Sequence, residues 1–594
     1  MTGIDNEDGG NPLVPDVALY PFPSNYYLAV DPTTPSGRRV QLPDEALPDD
    51  LPASMFAAAD GFSPSQPLLA WFAEGIDPAT LPTLEGSIDV GASVQLLRVS
   101  TAEAVPIVVE VDGLAAAEEA SLILRPYEAL RFGETYVAVI TDTVRAADGG
   151  ALAPSEAFVA LRDHIPTDSA AVELQRDDFG AVHQVLGARG LDPDAVVLAW
   201  PFTVRSEAGI VDVAVAMHDA MMGVDLDGFT VTSDVVDGDN RLVEGTIEVP
   251  DYLDADLRIR LDDEGLPIVQ GTRTVDVLWA IPETVAEPRP VIVFGHGFFS
   301  SREEITWSSL NSSLQVWEMS AIATDFVGFR EEDALASAAV LGSDLAGLDA
   351  IMDQQLQSQA HFTVIARLAS ERFVGDYPDL VDGSTPYLGI SNGGTQGAVI
   401  TTVSPVIDRA ALVVPGGGWS HMTQRAVQWW SMGSLLSSRY PDSRDLQLAL
   451  SLTQLSFDRV DGLSFSRHLV ADPLPGRTEA EVTLHEAVGD CQVANVVTEM
   501  LARTAGIPLI TPSARDIWGL ETTTAAPPAG ATSSSGLIAY DEGYDALPEG
   551  NVPPTEDNGA HETIRDLAVY VEQVGTFLET GAIVQVCDGA CDPD

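Results

Sequence analysis

The chain has 594 residues, of which 45% are hydrophobic, so it is long enough to form two or three domains with packed cores. It carries 90 acidic and 29 basic residues, giving a formal net charge of −61, and every basic residue is arginine. This charge repels nucleic acids and anionic membrane surfaces, and no run of 18 apolar residues is present to cross a bilayer. We therefore expect no nucleic-acid partner and no transmembrane segment.

The first eleven residues, MTGIDNEDGGN, are polar and rich in glycine, and they lack the basic and apolar regions of a signal peptide. Two interpretations stay open: a remnant left after a secretory or lipoprotein leader was removed, or a frayed terminus. Because a large acidic excess keeps a protein hydrated in high salt, we expect an extracellular or cell-surface protein.

Short β-type runs, separated by proline, glycine and aspartate, fill the first part of the chain. Runs such as PIVVEV (106–111) and TYVAVIT (135–141) predict an all-β, sandwich-like domain over residues 1–165. Three segments resemble the N-terminal β-rich, Ig-like region of bacterial secreted lipases: YPFPSNYYL (20–28), DGFSPSQPLLAWF (60–72) and RFGETYVAVITDTVRAADGGALAPS (131–155). This resemblance implies an Ig-like domain in a secreted protein.

A connecting segment with mixed signals follows at 166–224. The stretch FGAVHQVLGARG (179–190) has the apolar spacing of a helix, and VVLAWPFTVRS (196–206) predicts a buried strand. We place the next boundary near residue 225.

From 225 to 594, apolar strands alternate with helical segments, which predicts an α/β domain with a mostly parallel sheet covered by helices on both faces. The predicted strands lie at 274–282, 290–297, 320–326, 409–418, 482–490 and 535–543. One low-complexity stretch, 521–536, is predicted to be a surface loop.

The stretch YLGISNGG contains the pattern G-x-S-x-G, in which Ser391 stands between Gly389 and Gly393. An apolar strand precedes it and a run of small residues follows, as a nucleophile elbow requires. Glycines are needed two residues to either side because the turn from strand to helix leaves no room for side chains. We predict that Ser391 is a nucleophile; the alternative is a structural turn.

A serine nucleophile needs a histidine to take its proton and a carboxylate to orient that histidine. With this elbow, the acid follows the serine and the histidine comes last. Four histidines follow Ser391: His421, His468, His485 and His561. The first two precede the predicted strand 482–490 and His485 lies within it, so only His561 follows the last predicted strand. We therefore predict that His561 is the base.

For the acid, Asp490 stands at the carboxyl end of a predicted strand, on the edge where ligands bind in parallel sheets. Glu486 is a weaker candidate because it lies within the strand, and Asp541 and Glu542 end the next strand. We predict Asp490.

The developing oxyanion needs two N–H donors, one from the residue after the nucleophile and one from the loop after an earlier strand. We predict that these are the backbone N–H groups of Asn392 and Phe298. His296 precedes the nucleophile beside a tight turn, so we expect it to have a structural role.

Five motifs are similar, in order and spacing, to those of the α/β-hydrolase superfamily. They are GHGFFSSREE (295–304), LGISNGGTQG (388–397), VVPGGGWS (413–420), GDCQVAN (489–495) and NGAHE (558–562). The resemblance implies an α/β-hydrolase fold over 225–594 and hydrolysis through an acyl-enzyme, with Ser391 attacking, His561 transferring protons and Asp490 orienting it.

Helical segments between residues 419 and 480 are predicted to form a cap over the site. Trp429, Trp430 and Met432 are candidates for an acyl pocket, although the same residues can simply pack the cap. An apolar cap and a negative field favour esters of medium-chain acids over charged substrates.

Three cysteines allow at most one internal disulfide: Cys587 with Cys591, or the tail with Cys491. No metal motif or nucleotide fingerprint is evident, so we expect no cofactor and no metal; the acidic run 234–240 is interpreted as a solvated turn rather than a calcium site.

The sequence thus predicts a serine esterase or lipase acting on a small-molecule, lipid or polymer ester. Two alternatives stay open. The same triad can belong to a polyester depolymerase or a peptidase, since fold does not choose between them. The chain can also be a non-catalytic surface binding protein.

Overall fold

A computed structural model describes residues 9–17, 19–525 and 535–592. Most of the predicted leader and of the low-complexity stretch 521–536 lies outside these ranges. Within them, no helix is both long and apolar enough to cross a membrane.

The N-terminal part of the chain contains short strands and three helices. The strands are β1 (Leu28–Val30), β2 (Arg38–Val40), β3 (Leu68–Ala70), β4 (Val94–Arg98), β5 (Ala104–Val105), β6 (Ile107–Val111), β7 (Leu122–Pro126), β8 (Thr135–Thr141) and β9 (Val196–Thr203). The helices are α1 (Glu156–Arg162), α2 (Ala170–Glu173) and α3 (Phe179–Arg189).

Three antiparallel sheets, the smallest of them the pair β1-β2, share one hydrophobic cluster in this part, which we call the N-terminal module (residues 9–204). One of the two larger sheets has the order β3-β7-β6 and the other β5-β4-β8-β9. Strand β9, which the sequence analysis assigned to the connecting segment 166–224, pairs with β8 along its length. The prediction of an all-β domain that ends at residue 165 is therefore corrected in two respects. Helices α1–α3 connect β8 to β9, so the module contains helices, and it extends to the end of β9.

The rest of the chain builds one large sheet. Its strands are β10 (Thr230–Asp237), β11 (Asn240–Asp251), β12 (Gly271–Pro282), β13 (Val291–Gly295), β14 (Ser320–Ala323), β15 (Tyr387–Ile390), β16 (Arg409–Val413), β17 (Glu481–Ala487), β18 (Leu509–Thr511), β19 (Thr522–Thr524) and β20 (Gly536–Tyr540). The helices are α4 (Val211–Met221), α5 (Ser308–Trp317), α6 (Ala334–Ser343), α7 (Leu348–Arg367), α8 (Val374–Asp376), α9 (Asn392–Val403), α10 (Trp419–Met422), α11 (Gly433–Arg439), α12 (Ser443–Phe457), α13 (Gly462–Phe465), α14 (Asn495–Ala505), α15 (Ala560–Thr563) and α16 (Ala568–Thr580).

The order of the sheet is β10-β11-β12-β14-β13-β15-β16-β17-β20-β18-β19. Pairing is antiparallel from β10 to β14 and parallel from β14 to β19. Alternate side chains enter two cores: Tyr387 faces the cluster with α4, α7, α9 and α14, and Leu388 faces the cluster with α5 and α16. The predicted α/β class, with helices on both faces of a mostly parallel sheet, is confirmed.

The predicted cap segment 419–480 contains α10 to α13. Its apolar side chains also pack against the N-terminal module. Trp429, Leu436 and several leucines of α12 belong to the hydrophobic cluster of the N-terminal module. The cap therefore lies between the N-terminal module and the large sheet.

Of the three cysteines, Cys587 and Cys591 form a disulfide, and Cys491 is free and buried.

Candidate active site

Ser391 lies in a strained turn between β15 and α9. Its backbone has φ 58° and ψ −119°, a conformation that costs a non-glycine residue on the order of 1–3 kcal/mol. A side chain at Gly389 would overlap the backbone of Gly393, and one at Gly393 would overlap the carbonyl oxygen of Gly295. The lack of room for side chains explains why the pattern G-x-S-x-G occurs here. The tight turn places Ser391 at the carboxyl end of β15.

His561 and Asp490 come together at the same edge. Asp490 follows β17 and His561 lies in α15, after β20, yet Nδ1 of His561 is 2.7 Å from Oδ2 of Asp490. The other carboxylate oxygen of Asp490 accepts from the N–H groups of Gln492 and Val493, at 2.8 and 3.0 Å. Both side chains are buried, so the carboxylate is fixed and holds the imidazole in one orientation.

Burial alone would lower the pKa of His561, because it penalises the charged ring. The charge of Asp490 and its hydrogen bond outweigh that effect, and the pKa of His561 lies above its usual value of 6.5. The pair is therefore suited to accept a proton and to stabilise the resulting imidazolium.

The rival carboxylates lie elsewhere. Glu486 is buried within β17, and its nearest recorded cation is Arg515, at 3.5 Å. Burial raises the pKa of Glu486 well above its usual range. Glu542 accepts from the hydroxyl of Thr563, and Asp541 accepts from the N–H of Gly543.

The other histidines have structural partners. His485 lies within β17, and burial lowers its pKa to about 3. Nε2 of His421 is 2.7 Å from the carbonyl oxygen of Ser65, and His468 pairs with Glu207.

The loop after β13 approaches the elbow because β13 and β15 are parallel neighbours, with Gly295 paired to Gly389. Nε2 of His296 accepts from the N–H of Phe326 at 2.9 Å, so its Nδ1 carries the hydrogen and donates to the carbonyl of Gly297 at 2.8 Å. His296 thus fixes the loop, as the sequence analysis expects.

Among the described residues, the backbone N–H groups of Phe298 and Asn392 have no hydrogen-bond partner, and neither do those of Gly393 and Gly394 in the first turn of α9. By contrast, the N–H of Gly297 donates to Glu304 at 2.9 Å. Glu304 in turn lies 3.7 Å from Arg565, four residues after His561, which places the loop with Phe298 next to the segment with His561.

No hydrogen bond joins the hydroxyl of Ser391 to His561 among the contacts of the described residues. In ligand-free sites, catalytic hydrogen bonds are often long and shorten when substrate binds. The structure thus places Ser391, Asp490 and His561 at one edge of the sheet, with the Asp490–His561 bond formed.

A cavity of about 190 Å³ opens next to Ser391. Among the described residues that line it there is no Asp, Glu, Arg or His, although the chain carries 90 acidic residues. Trp429 and Met432 line it, as predicted for an acyl pocket. Trp430 does not: the residue is 49% exposed, and its indole N–H donates to the carbonyl of Pro554. The assignment of Trp430 to the pocket was therefore wrong.

One wall of the cavity was not predicted. Helix α6, the start of α7 and the short turn between them contribute apolar side chains: Val340, Leu341, Leu345, Leu348, Ile351 and Met352. The uncharged run ALASAAVLGS (334–343) in so acidic a chain is a signal that could have identified this wall.

In the described part of the chain, no group of three or more His, Cys, Asp or Glu side chains is arranged to hold a metal ion. The acidic run 234–240 forms the β10–β11 hairpin, in which Asp234 pairs with Arg241.

No family model matches the chain, and a comparison with curated proteins finds no match. Among solved structures, the chain is similar to acetyl xylan esterase 1 from Thermoanaerobacterium sp. JW/SL YS485, with 13% identity and a TM-score of 0.35 over 57% of this chain and 89% of that one. It is also similar to an S-formylglutathione hydrolase from Agrobacterium tumefaciens, with 11% identity and a TM-score of 0.28 over 58% of this chain and 99% of that one. A thermostable esterase from Pseudomonas putida ECU1011 is similar as well, with 14% identity and a TM-score of 0.30 over 63% of this chain and 90% of that one. Because these TM-scores are below 0.5, we base no conclusion about activity on them.

Proposed function

We propose that this protein is a serine hydrolase that cleaves carboxylic esters, as an esterase or lipase. The observation that carries the proposal is that Ser391 stands in an elbow conformation in the lining of an uncharged cavity, on the sheet edge that also holds the His561–Asp490 pair. An elbow turn, an uncharged cavity or a buried His–Asp pair occurs in many proteins, and the combination of all three supports the proposal.

In the proposed reaction, Oγ of Ser391 attacks the ester carbonyl carbon while Nε2 of His561 takes the hydroxyl proton. The N–H groups of Asn392 and Phe298 stabilise the oxyanion. His561 then protonates the leaving alkoxide, which departs as an alcohol and leaves an acyl-serine. A water molecule, deprotonated by His561, attacks the acyl-serine; the carboxylic acid is released and Ser391 regains its proton.

The cavity supports an ester with a neutral, apolar acyl group. A charged acyl group would lose its hydration there without gaining an ionic partner, which costs several kcal/mol. The cavity is also adjacent to the nucleophile, since Ser391 and Asn392 form part of its lining.

We further propose that the protein works outside the cytoplasm. The disulfide between Cys587 and Cys591 supports this location, because disulfides persist mainly in oxidising compartments.

The test is hydrolysis of a p-nitrophenyl ester series from acetate to decanoate, beside a peptide anilide and a soluble polyester. We expect ester cleavage by the wild type with little cleavage of the anilide. Faster cleavage of the anilide or the polyester would favour the peptidase or depolymerase alternative. No cleavage of any substrate by folded protein would favour a non-catalytic binding protein.

A further inference from the structure

One wall of the cavity beside Ser391 is a short segment of the cap, residues 419–429, which we call the wall segment. Its side chains that line the cavity are Trp419, Ser420, Met422, Thr423, Ala426, Gln428 and Trp429. The shape of the cavity therefore depends on where this segment lies.

The N-terminal module contacts the far side of the wall segment through a buried ion cluster. Arg125 on β7 and Glu110 on β6 are neighbours, with Nε of Arg125 2.5 Å from Oε1 of Glu110, and their side chains are 2% and 7% exposed. The other oxygen of Glu110 lies 2.6 Å from Arg425 of the wall segment.

Arg125 also binds the wall segment directly. One terminal nitrogen donates to the side-chain oxygen of Gln424 at 2.8 Å, and the other donates to the carbonyl oxygen of Ser420 at 3.3 Å. Because the donors of a guanidinium lie in a rigid plane, these bonds fix two points of the wall segment, four residues apart, relative to the N-terminal module. None of Glu110, Arg125 and Gln424 lines the cavity.

A second contact holds the adjoining helix of the cap. The side-chain amide of Gln66 donates to the carbonyl of Ser451 in α12 at 2.8 Å, and the hydroxyl of Ser451 donates to the carbonyl of Pro67 at 2.8 Å. Ala449, Leu450 and Thr453 of this helix line the cavity.

Displacing the wall segment would separate Arg425 from Glu110 and would remove two hydrogen-bond acceptors of the buried Arg125, which is costly in a low-dielectric interior. The cluster therefore stabilises the observed position of the wall segment. Its module residues lie some 300 residues before the segment in the chain, since the two Arg125 bonds span 295 and 299 residues.

We propose that Arg125 and Glu110 are positioning residues that set the acyl-chain selectivity of the site at Ser391, so that the N-terminal module forms the support of the substrate pocket. This inference rests on the proposed esterase function. It gives the module a role in selectivity rather than one as a separate binding domain.

The experiment compares Arg125→Lys, Glu110→Gln and Gln424→Leu with the wild type in kcat and KM for acetyl and octanoyl esters. Lysine keeps the charge of Arg125 but cannot make the planar set of bonds. The matched control is Arg367→Lys. Arg367 is also buried, pairs with Glu371 and donates to the carbonyl of Met221 at 2.9 Å, but it lies at the far end of α7 from the cavity.

We expect the ratio of octanoyl to acetyl kcat/KM to fall about tenfold in Arg125→Lys and Glu110→Gln, mainly through a higher KM for the octanoyl ester. Gln424→Leu removes one bond and leaves the charges intact, so it should shift the ratio in the same direction even if the other two variants fold poorly. Arg367→Lys should leave the ratio at the wild-type value.

An unchanged ratio in Gln424→Leu and in whichever of the other two variants folds would overturn the inference, as would an equal shift in Arg367→Lys. Failure of the esterase proposal looks different: the wild type itself would then hydrolyse neither ester.

Discussion

The elbow around Ser391 and the cavity beside it are neighbours in space, but they are built in different ways. The elbow is formed by residues 387 to 403, and its geometry follows from local sterics, since a side chain at Gly389 would overlap the backbone of Gly393. The cavity is lined by α6, α7, the wall segment and α12, and it is supported by the N-terminal module. The reacting group is therefore specified locally, and the space for its substrate is specified by distant segments.

This difference predicts two kinds of failure. Changes at the elbow or at the Asp490–His561 pair should reduce hydrolysis of every ester alike, because they act on the reacting atoms. Changes in the cavity should act on some esters and not on others, because they alter only the fit of the acyl group. The variants below separate the two kinds.

The largest effect is expected from Ser391→Ala. Removal of the nucleophile should lower kcat on the order of 10⁶-fold for every chain length, as loss of the serine does in triad enzymes. The thermal unfolding midpoint should stay the same or rise, since alanine keeps the fold but removes a polar group. A residual kcat within tenfold of wild type would show that another residue reacts.

Asp490→Asn should lower kcat about 10⁴-fold, again for all esters, because the amide no longer holds His561 in the productive tautomer. It should also move the pH profile. The base must be neutral to react, so kcat/KM of the wild type should rise with pH through a pKa above 6.5.

In Asp490→Asn the charge that raises the pKa of His561 is gone and burial dominates, so the midpoint should move to lower pH. The control is Glu486→Gln, which should leave the midpoint of the profile where it is in the wild type. A midpoint that stays in place in Asp490→Asn would contradict the assignment of the acid.

Gly393→Ala tests the close packing of the elbow against the end of the neighbouring strand β13. The added methyl group would overlap the carbonyl of Gly295, so the loop with Phe298 must move away, and a displacement of 1 Å can cost about 100-fold in rate. We expect a loss of that size together with about 3 kcal/mol or more of the free energy of unfolding.

The control for this variant is Gly180→Ala in α3, where no atom beyond the adjoining residues and the backbone of the helix itself lies within 4 Å of the added carbon. It should gain about 0.5–1 kcal/mol in stability and keep full activity. A Gly393→Ala protein as stable and as active as the control would show that the glycine is not required by packing.

The smallest effect is expected from Val340→Trp in α6. The larger side chain would fill part of the cavity, so octanoyl esters should lose about tenfold in kcat/KM and acetyl esters should be little affected. The matched control is Leu335→Trp on the same helix, where the side chain is 86% exposed. Equal losses for acetyl and octanoyl esters in Val340→Trp would place the acyl group elsewhere.

The elbow and the α/β class could be predicted from the sequence because each depends on residues close together in the chain: the pattern around Ser391, and the alternation of strands with helices. Asp490 could be proposed because strand ends meet at one edge of a parallel sheet, and His561 because the histidine comes last in the chain order of such a triad. Trp430 was misplaced because neighbouring residues in a short helical turn face different ways, and periodicity alone does not say which side meets the cavity.

The support from Arg125 could not be predicted in this way. Its bonds to Ser420 and Gln424 join segments separated by 295 and 299 residues, and no local pattern marks them. The same reason accounts for β9, which pairs with β8 only after three helices have intervened.

The central claim is that Ser391 is an activated nucleophile, and covalent labelling tests it most directly. The measurement is the intact mass of wild type, Ser391→Ala and His561→Ala after incubation with a fluorophosphonate, followed by peptide mapping. We expect one adduct on the wild type, mapped to Ser391, none on Ser391→Ala and much slower labelling of His561→Ala. No adduct on folded wild-type protein, or an equal adduct on Ser391→Ala, would contradict the claim.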